Sequence, residues 1–337
     1  MRLVLVVGST ETATIDGISA AGADVEAMWD TPVADAEILA YGRPVFAETV
    51  PVSPTGCPTP ALVTRAVRDL LDVELTVVDA GIARPTAAPT LALGEEPGGD
   101  LRTAIPVPDA RGIYERARRF GRAYPHDDLV VGESIPGGTT TALGVLRALG
   151  EDLDVSSSLA ENPVELKRSV VAAGLDASEL DPGALAGEPV RAVERMGDPV
   201  LAAVAGVVTG AVANGVAVTL AGGTQLLAAA ALVRHAGLTG PLRLATTSFV
   251  ADDESIDLAA AGAELDVDVV VTDPGFDRGD HPAFAAFERG EAKEGVAMGG
   301  ALALADRNDV AMREVRGRIR DRYAALVERP PGVRSRP

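Results

Sequence analysis

The sequence predicts an α/β protein built on a doubly wound, mostly parallel sheet, and three observations carry that. Six short runs (3–7, 75–78, 129–131, 216–220, 242–246 and 267–271) are continuous in aliphatic and β-branched residues, the pattern of strands covered on both faces. Helical patterns separate most of them, so the chain reads as successive βαβ units. The runs end in Gly, Asp, Ser or Thr, and the strand ends of open α/β sheets are where ligands gather.

Taken in order, the opening run 3–7 is followed by a helix over 60–71, with apolar residues at 62, 63, 67, 70 and 71. Strand 75–78 leads to a loop over 94–108, rich in Gly, Pro and acid, and then to a basic amphipathic helix over 110–122. Strand 129–131 and helix 140–149 form the next unit. Residues 151–198 carry two helical patterns punctuated by Pro163 and Pro182, and read as an excursion from the sheet. Residues 200–224 are long and apolar enough to raise a membrane span. They are Ala, Val and Gly, however, and Asn214-Gly215 interrupts them, so a buried helix (199–213) and a strand (215–221) explain them better. Helix 225–235, strand 242–246, helix 256–265 and strand 267–271 complete the alternation. A small-residue helix over 301–305 and a charged amphipathic helix over 308–327 follow, and 328–337 reads as a disordered tail.

At 337 residues the chain suits one large unit, over 1–327, or two domains. Its formal net charge of −19 argues against nucleic acid or an anionic membrane as a partner. Only Lys167 and Lys293 are lysines; the other 28 basic residues are arginines. Either a GC-rich genome or a high-salt, halophilic cytoplasm explains that bias. A single cysteine, Cys57, excludes an intramolecular disulfide. The three histidines have no ligand spacing, and no metal site is expected. The N-terminus lacks a signal peptide's apolar region, so a cytoplasmic protein is expected.

The strongest chemical segment is Gly132-Glu133-Ser134-Ile135-Pro136-Gly137-Gly138-Thr139-Thr140-Thr141. It reads as strand, glycine loop, helix. Gly137 and Gly138 let a ligand approach the backbone, and Thr139 and Thr140 offer hydroxyls and N–H groups at a helix N-terminus, a phosphate cradle. The Gly132–Thr139 spacing matches a Walker A loop, but Gly138 stands where the lysine belongs. Gly222-Gly223-Thr224-Gln225 repeats the device after the 216–220 strand. A third segment, 287–301, sets Glu291 and Glu294 among glycines before a small-residue helix, where a desolvated carboxylate becomes a general base. Asp79-Ala80-Gly81, 246–249 and 272–275 are weaker candidates at strand ends. Cys57 sits in a proline-rich loop with no histidine nearby, and Trp29, Thr31 and Asp35 read as loop packing or pocket wall.

At these residues the chain resembles the nicotinate-nucleotide–dimethylbenzimidazole phosphoribosyltransferase family, and in particular its archaeal branch, long carried as uncharacterised. The 132–141 loop resembles the family's Gly-Glu-Met-Gly-Ile-Gly-Asn-Thr-Thr; Glu294-Gly295 ahead of Gly299-Gly300-Ala301 resembles Gly-Glu-Gly-Thr-Gly-Ala. Gly222-Gly223-Thr224-Gln225 with its alanine-rich helix, 7–12, and Ile18-Ser19-Ala20-Ala21-Gly22 extend the match. The resemblance implies a Rossmann-like six-stranded sheet, a small helical subdomain from the chain ends and a homodimer. It implies transfer of the phosphoribosyl group of nicotinate mononucleotide to a benzimidazole-type base, giving α-ribazole 5′-phosphate and nicotinate for cobalamin lower-ligand assembly, with no cofactor. By the family's pattern Glu294 is the base and Glu133 a second carboxylate of the site. The spacing after Glu294 differs, which keeps Glu291 as a fallback base. The other reading is a nucleotide-binding regulator or interaction protein on the same fold.

Overall fold

The structure is a computed structural model describing residues 2–20, 24–48, 50–53, 55–279 and 281–328. Seven parallel strands form one sheet: β1 (Arg2–Val7), β2 (Glu74–Asp79), β3 (Thr90–Ala92), β4 (Asp128–Ser134), β5 (Ala217–Ala221), β6 (Leu242–Thr247) and β7 (Val267–Thr272). Their order is β3-β2-β1-β4-β5-β6-β7. The sequence expectation of six strands is corrected by β3. It has three residues, all exposed, at the sheet edge, so it has no apolar run to read.

The helices are α1 (Val25–Tyr41), α2 (Ala61–Leu71), α3 (Ala110–Arg122), α4 (Gly138–Leu149), α5 (Val164–Ala177), α6 (Pro189–Met196), α7 (Pro199–Ala213), α8 (Thr224–His235), α9 (Ser248–Ala251), α10 (Leu258–Glu264), α11 (Pro282–Glu288), α12 (Met298–Arg307) and α13 (Met312–Glu328). α1 is a further difference: a proline inside the pattern, Pro32, reads as a stop, yet the helix runs through it. Asp24 caps its start by accepting from Ala27 N, and Gly42 ends it in the left-handed conformation. Trp29 is therefore helical. Glu328, read with the tail, closes α13. Residues 329–337, Ala21, Gly22 and Pro54 lie outside the described residues.

Alternation along the strands sends side chains to both faces. Val4 and Val6 of β1 join the core under α3 to α8, and Leu5 and Val7 join one under α1, α2 and α13. The chain ends thus meet on one sheet face, where Leu326 packs with Leu39 and Leu62. α12 lies across β4 to β7 on that same face, close enough that a Cβ on Gly300 would overlap Ala221. α7 ends at Ala213, and among the described residues no helix is long and apolar enough to cross a membrane. Connections run outward from β1 through β2 to β3, then reverse to β4. The order therefore switches between β1 and β4, and a crevice opens beyond their carboxyl ends.

Candidate active site

A cleft of about 130 Å³ lies at these strand ends. β4 brings Glu133 and Ser134 to its wall, and the chain turns at Gly137 (φ +79°) into α4. The turn needs glycine, because a side chain there would be strained and would press on the backbone of Ala13. Gly137, Gly138 and Thr139 line the cleft. Thr140 and Thr141, each a further 100° round the helix, are fully buried and turned away from it. Thr141 Oγ1 donates instead to Asp198 at 2.5 Å. Gly132, one turn of chain earlier, packs against Ala297 so closely that no Cβ fits.

The second junction, β5 to α8, contributes Gly223, Thr224 and Gln225 to the same wall. Gly222 faces Leu226 instead. Gln225 connects the two junctions: its amide covers Gly138, where any Cβ would overlap it, and its Nε2 donates to Asp198 at 3.2 Å. Asp198 also caps α7 through Leu201 N. One buried carboxylate thus ties α4, α7 and α8, and aims two helix N-termini at one space.

Glu294 stands beside Gly223, whose Cβ position is 3.6 Å from the Glu294 Cβ. Gly299 N (2.9 Å) and Gly295 N (3.2 Å) donate to its Oε1, and Thr246 Oγ1 lies 3.4 Å from Oε2. Around it Ala292, Val296 and Ala297 hold φ of +46°, +52° and +63°. For a β-branched residue such as Val296 this is a true outlier, of the kind that gathers at functional sites. The segment is held in place by Val296 N to Glu133 O (2.8 Å), Thr64 Oγ1 to Val296 O (2.7 Å) and Thr247 Oγ1 to Lys293 O (2.6 Å). Burial pushes the Glu294 carboxyl up to about 7, against its hydrogen bonds. Burial pushes Glu133 to about 8, helped by the charges of Asp198, Glu294 and Asp35. Asp35 and Asp198 are raised by burial to about 6.

Glu291 is placed differently. Hydroxyls of Ser53 (2.7 Å) and Thr55 donate to it, and despite burial these bonds and Arg289 hold it below the usual carboxylate range. It clasps the 51–59 loop and is not on the cleft wall. Cys57 in that loop does line the cleft, but burial pushes its thiol up to about 12, which keeps it un-ionised. Trp29 is not on the wall; Thr31 and Asp35, two and six residues further along α1, are. Asp79 and Asp273 accept from N–H groups two residues on and form strand-exit turns.

Sequence reasoning missed Asp198, the serine run 156–158 and the role of both lysines, and it left Asp35 open between loop packing and pocket wall; Asp35 lies on the wall. It expected an anion to be held without lysine. The fold instead brings the chain's two lysines to this one corner. Lys293 lines the cleft and pairs with Asp253 at 2.7 Å. Lys167 is fully buried, donates to Ser156 O at 2.7 Å, and is pushed down to about 7 by burial. Their rarity was the available signal, since the other 28 basic residues are arginines. Among the described residues no group of three or more His, Cys, Asp or Glu could hold a metal ion.

The chain is a doubly wound α/β protein with its candidate cleft at the topological switch point. Solved structures from Thermus thermophilus share the fold. A nicotinate-nucleotide–dimethylbenzimidazole phosphoribosyltransferase matches with a TM-score of 0.61, over 96% of this chain and 82% of that one, at 18% identity. A structure titled CobT matches at 0.63, over 98% and 87%, also at 18%. By sequence the chain belongs to the UPF0284 family. It is 59% identical to a UPF0284 protein of Halobacterium salinarum over 94% of this chain and 95% of that one, and 42% identical to one of Methanothermobacter thermautotrophicus over 94% and 91%. No family model matches the chain.

Proposed function

We propose that the protein transfers the phosphoribosyl group of nicotinate mononucleotide to a benzimidazole-type base. The observation that carries this is Glu294, a half-buried carboxylate raised to about 7, set where two helix N-termini converge on one cleft. The likeness of the fold to a solved enzyme titled for this reaction supports the reading.

The chemistry asks little else. Nicotinate carries a positive ring nitrogen in the nucleotide and leaves neutral at that atom, so no acid is needed to expel it. The azole nitrogen of the acceptor forms a bond to C1′ as the C1′–pyridinium bond breaks, and the azole N–H proton passes to Glu294. Attack from the opposite face inverts C1′ and gives the α-riboside. A base with a pKa near 7 is matched to work near neutral pH. Glu133, protonated below about 8, can donate a hydrogen bond to a ribose hydroxyl. The glycine junctions at Gly137–Thr139 and Gly223–Thr224 supply N–H groups for the phosphate, and Lys293 adds positive charge at the same wall. The cytoplasmic, homodimeric and salt-adapted readings of the sequence belong to this proposal.

The test is nicotinate release from nicotinate mononucleotide and dimethylbenzimidazole by folded protein, at low and high potassium chloride. Release that depends on the base supports the reading. Tight nucleotide binding with no release, for any azole base and at both salts, replaces it with the regulator.

A further inference from the structure

Asp35 is a buried carboxylate that the reaction above does not use. It lies on the cleft wall, 1% exposed. Thr59 Oγ1 donates to Oδ1 at 2.6 Å and Ser134 Oγ to Oδ2 at 2.7 Å. Among the described residues no Arg, Lys or His is paired with it. A carboxylate accepts about four hydrogen bonds, so roughly half its capacity remains. Burying such a group without a cation is costly, and it borders the cleft.

Its position relative to Glu294 gives that placement a meaning. Ser134, which holds Asp35, ends β4. Thr246, near the end of β6, and Gly223, just after β5, flank Glu294. β4 and β6 are two strand spacings apart, about 10 Å. Glu133, between them, feels the charge of both. The wall by Asp35 also carries Pro51, Val52, Pro58 and Pro60, apolar surfaces suited to the faces of a flat ring. A bicyclic azole with its N–H at Glu294 therefore presents the far edge of its second ring toward Asp35.

We propose that Asp35 selects the acceptor, taking a hydrogen bond from a hydroxyl or amino group on the ring remote from the attacking nitrogen. The inference rests on the transferase reading and names its substrate class: a hydroxylated benzimidazole or an aminopurine, rather than an all-apolar one. A base with only methyl groups at that edge leaves the buried carboxylate desolvated and unanswered.

The experiment compares 5-hydroxybenzimidazole, adenine, 5-methoxybenzimidazole and dimethylbenzimidazole, by nicotinate release and separately by equilibrium titration of the intact protein. The wild-type protein is expected to favour the hydroxyl or amino bases by about ten- to hundredfold, the range of a charge-assisted hydrogen bond. The two preferred bases tell a hydroxyl site from a purine site. Asp35→Asn keeps both hydroxyl partners, since an amide can accept from one and donate to the other, but it offers the ligand a donor. It is expected to abolish the preference and turn it toward 5-methoxybenzimidazole. A loss shared equally by all bases makes Asp35 purely structural and overturns the inference. So does equal use of all four bases by the wild-type protein, which needs no variant. Selective binding without nicotinate release overturns the transferase reading and leaves the selectivity of Asp35 standing.

Discussion

The two strand–glycine–helix junctions look alike in the sequence and differ in the molecule. At β4–α4, Gly137 is left-handed, and the junction is surrounded by raised carboxylates: Glu133, Asp35 and Asp198. At β5–α8, Gly223 has a negative φ of −105°, and its neighbour is Glu294. The first is a turn that glycine adopts freely and a side chain would strain, and the second has a negative φ with room beside it for a methyl group. The lesson is that a repeated motif need not repeat a role, because what packs on each glycine decides it.

The largest test of this contrast is Glu294→Gln. Turnover is expected to fall by about 10²- to 10⁴-fold with nucleotide binding kept, since both glycine junctions are untouched. Near-normal turnover would move the chemistry to the first junction and to Glu133.

Next comes pH. Asp35, Asp198, Glu294 and Glu133 have native values of about 6, 6, 7 and 8, all above their ordinary ones. The native state therefore binds more protons than the unfolded chain. The stability these groups contribute is present below their ordinary pKa and lost as pH rises through the native values. Melting temperature is expected to fall as pH rises from about 4 to 8. Glu133→Gln should flatten the upper part of that slope, and an unchanged slope would contradict its burial. Activity runs the other way, rising through about pH 7 as Glu294 ionises.

A smaller effect separates the glycines themselves. Gly137→Ala is expected to cost about 1–3 kcal/mol, from a left-handed alanine set against the Ala13 backbone. Gly223→Ala meets only ordinary contacts at 3.6 Å, with Glu294 Cβ and Val250 Cγ2. It should cost less than about 1 kcal/mol, while kcat falls because the methyl narrows the space beside the base. Chemical denaturation of both variants measures the difference, and equal costs would erase the contrast.

Much of the fold was legible. The six longer strands appear as apolar runs because both faces of a parallel sheet are covered, and α2, α3, α4, α7 and α8 follow from helical patterns. β3 was not, being three exposed residues paired only to β2. Nor was α1, whose buried stretch from Thr31 to Leu39 lacks a polar face and contains a proline. In the site, the glycine junctions and Glu294 were legible because local turns and strand ends need particular residues.

From the sequence alone follow the class of sheet, the two glycine junctions and a carboxylate beside a small-residue helix. These depend on neighbours in the chain. Only the tertiary structure decided that Asp35 of α1 and Lys293 line one cleft, with Asp198 before α7 and Lys167 of α5 fully buried, that Thr140 and Thr141 turn away from it, and that Glu291 clasps a loop. Those facts come from contacts between residues tens to hundreds of positions apart. Burial there raises four carboxylates and lowers one lysine, and no local pattern encodes which groups lose their water.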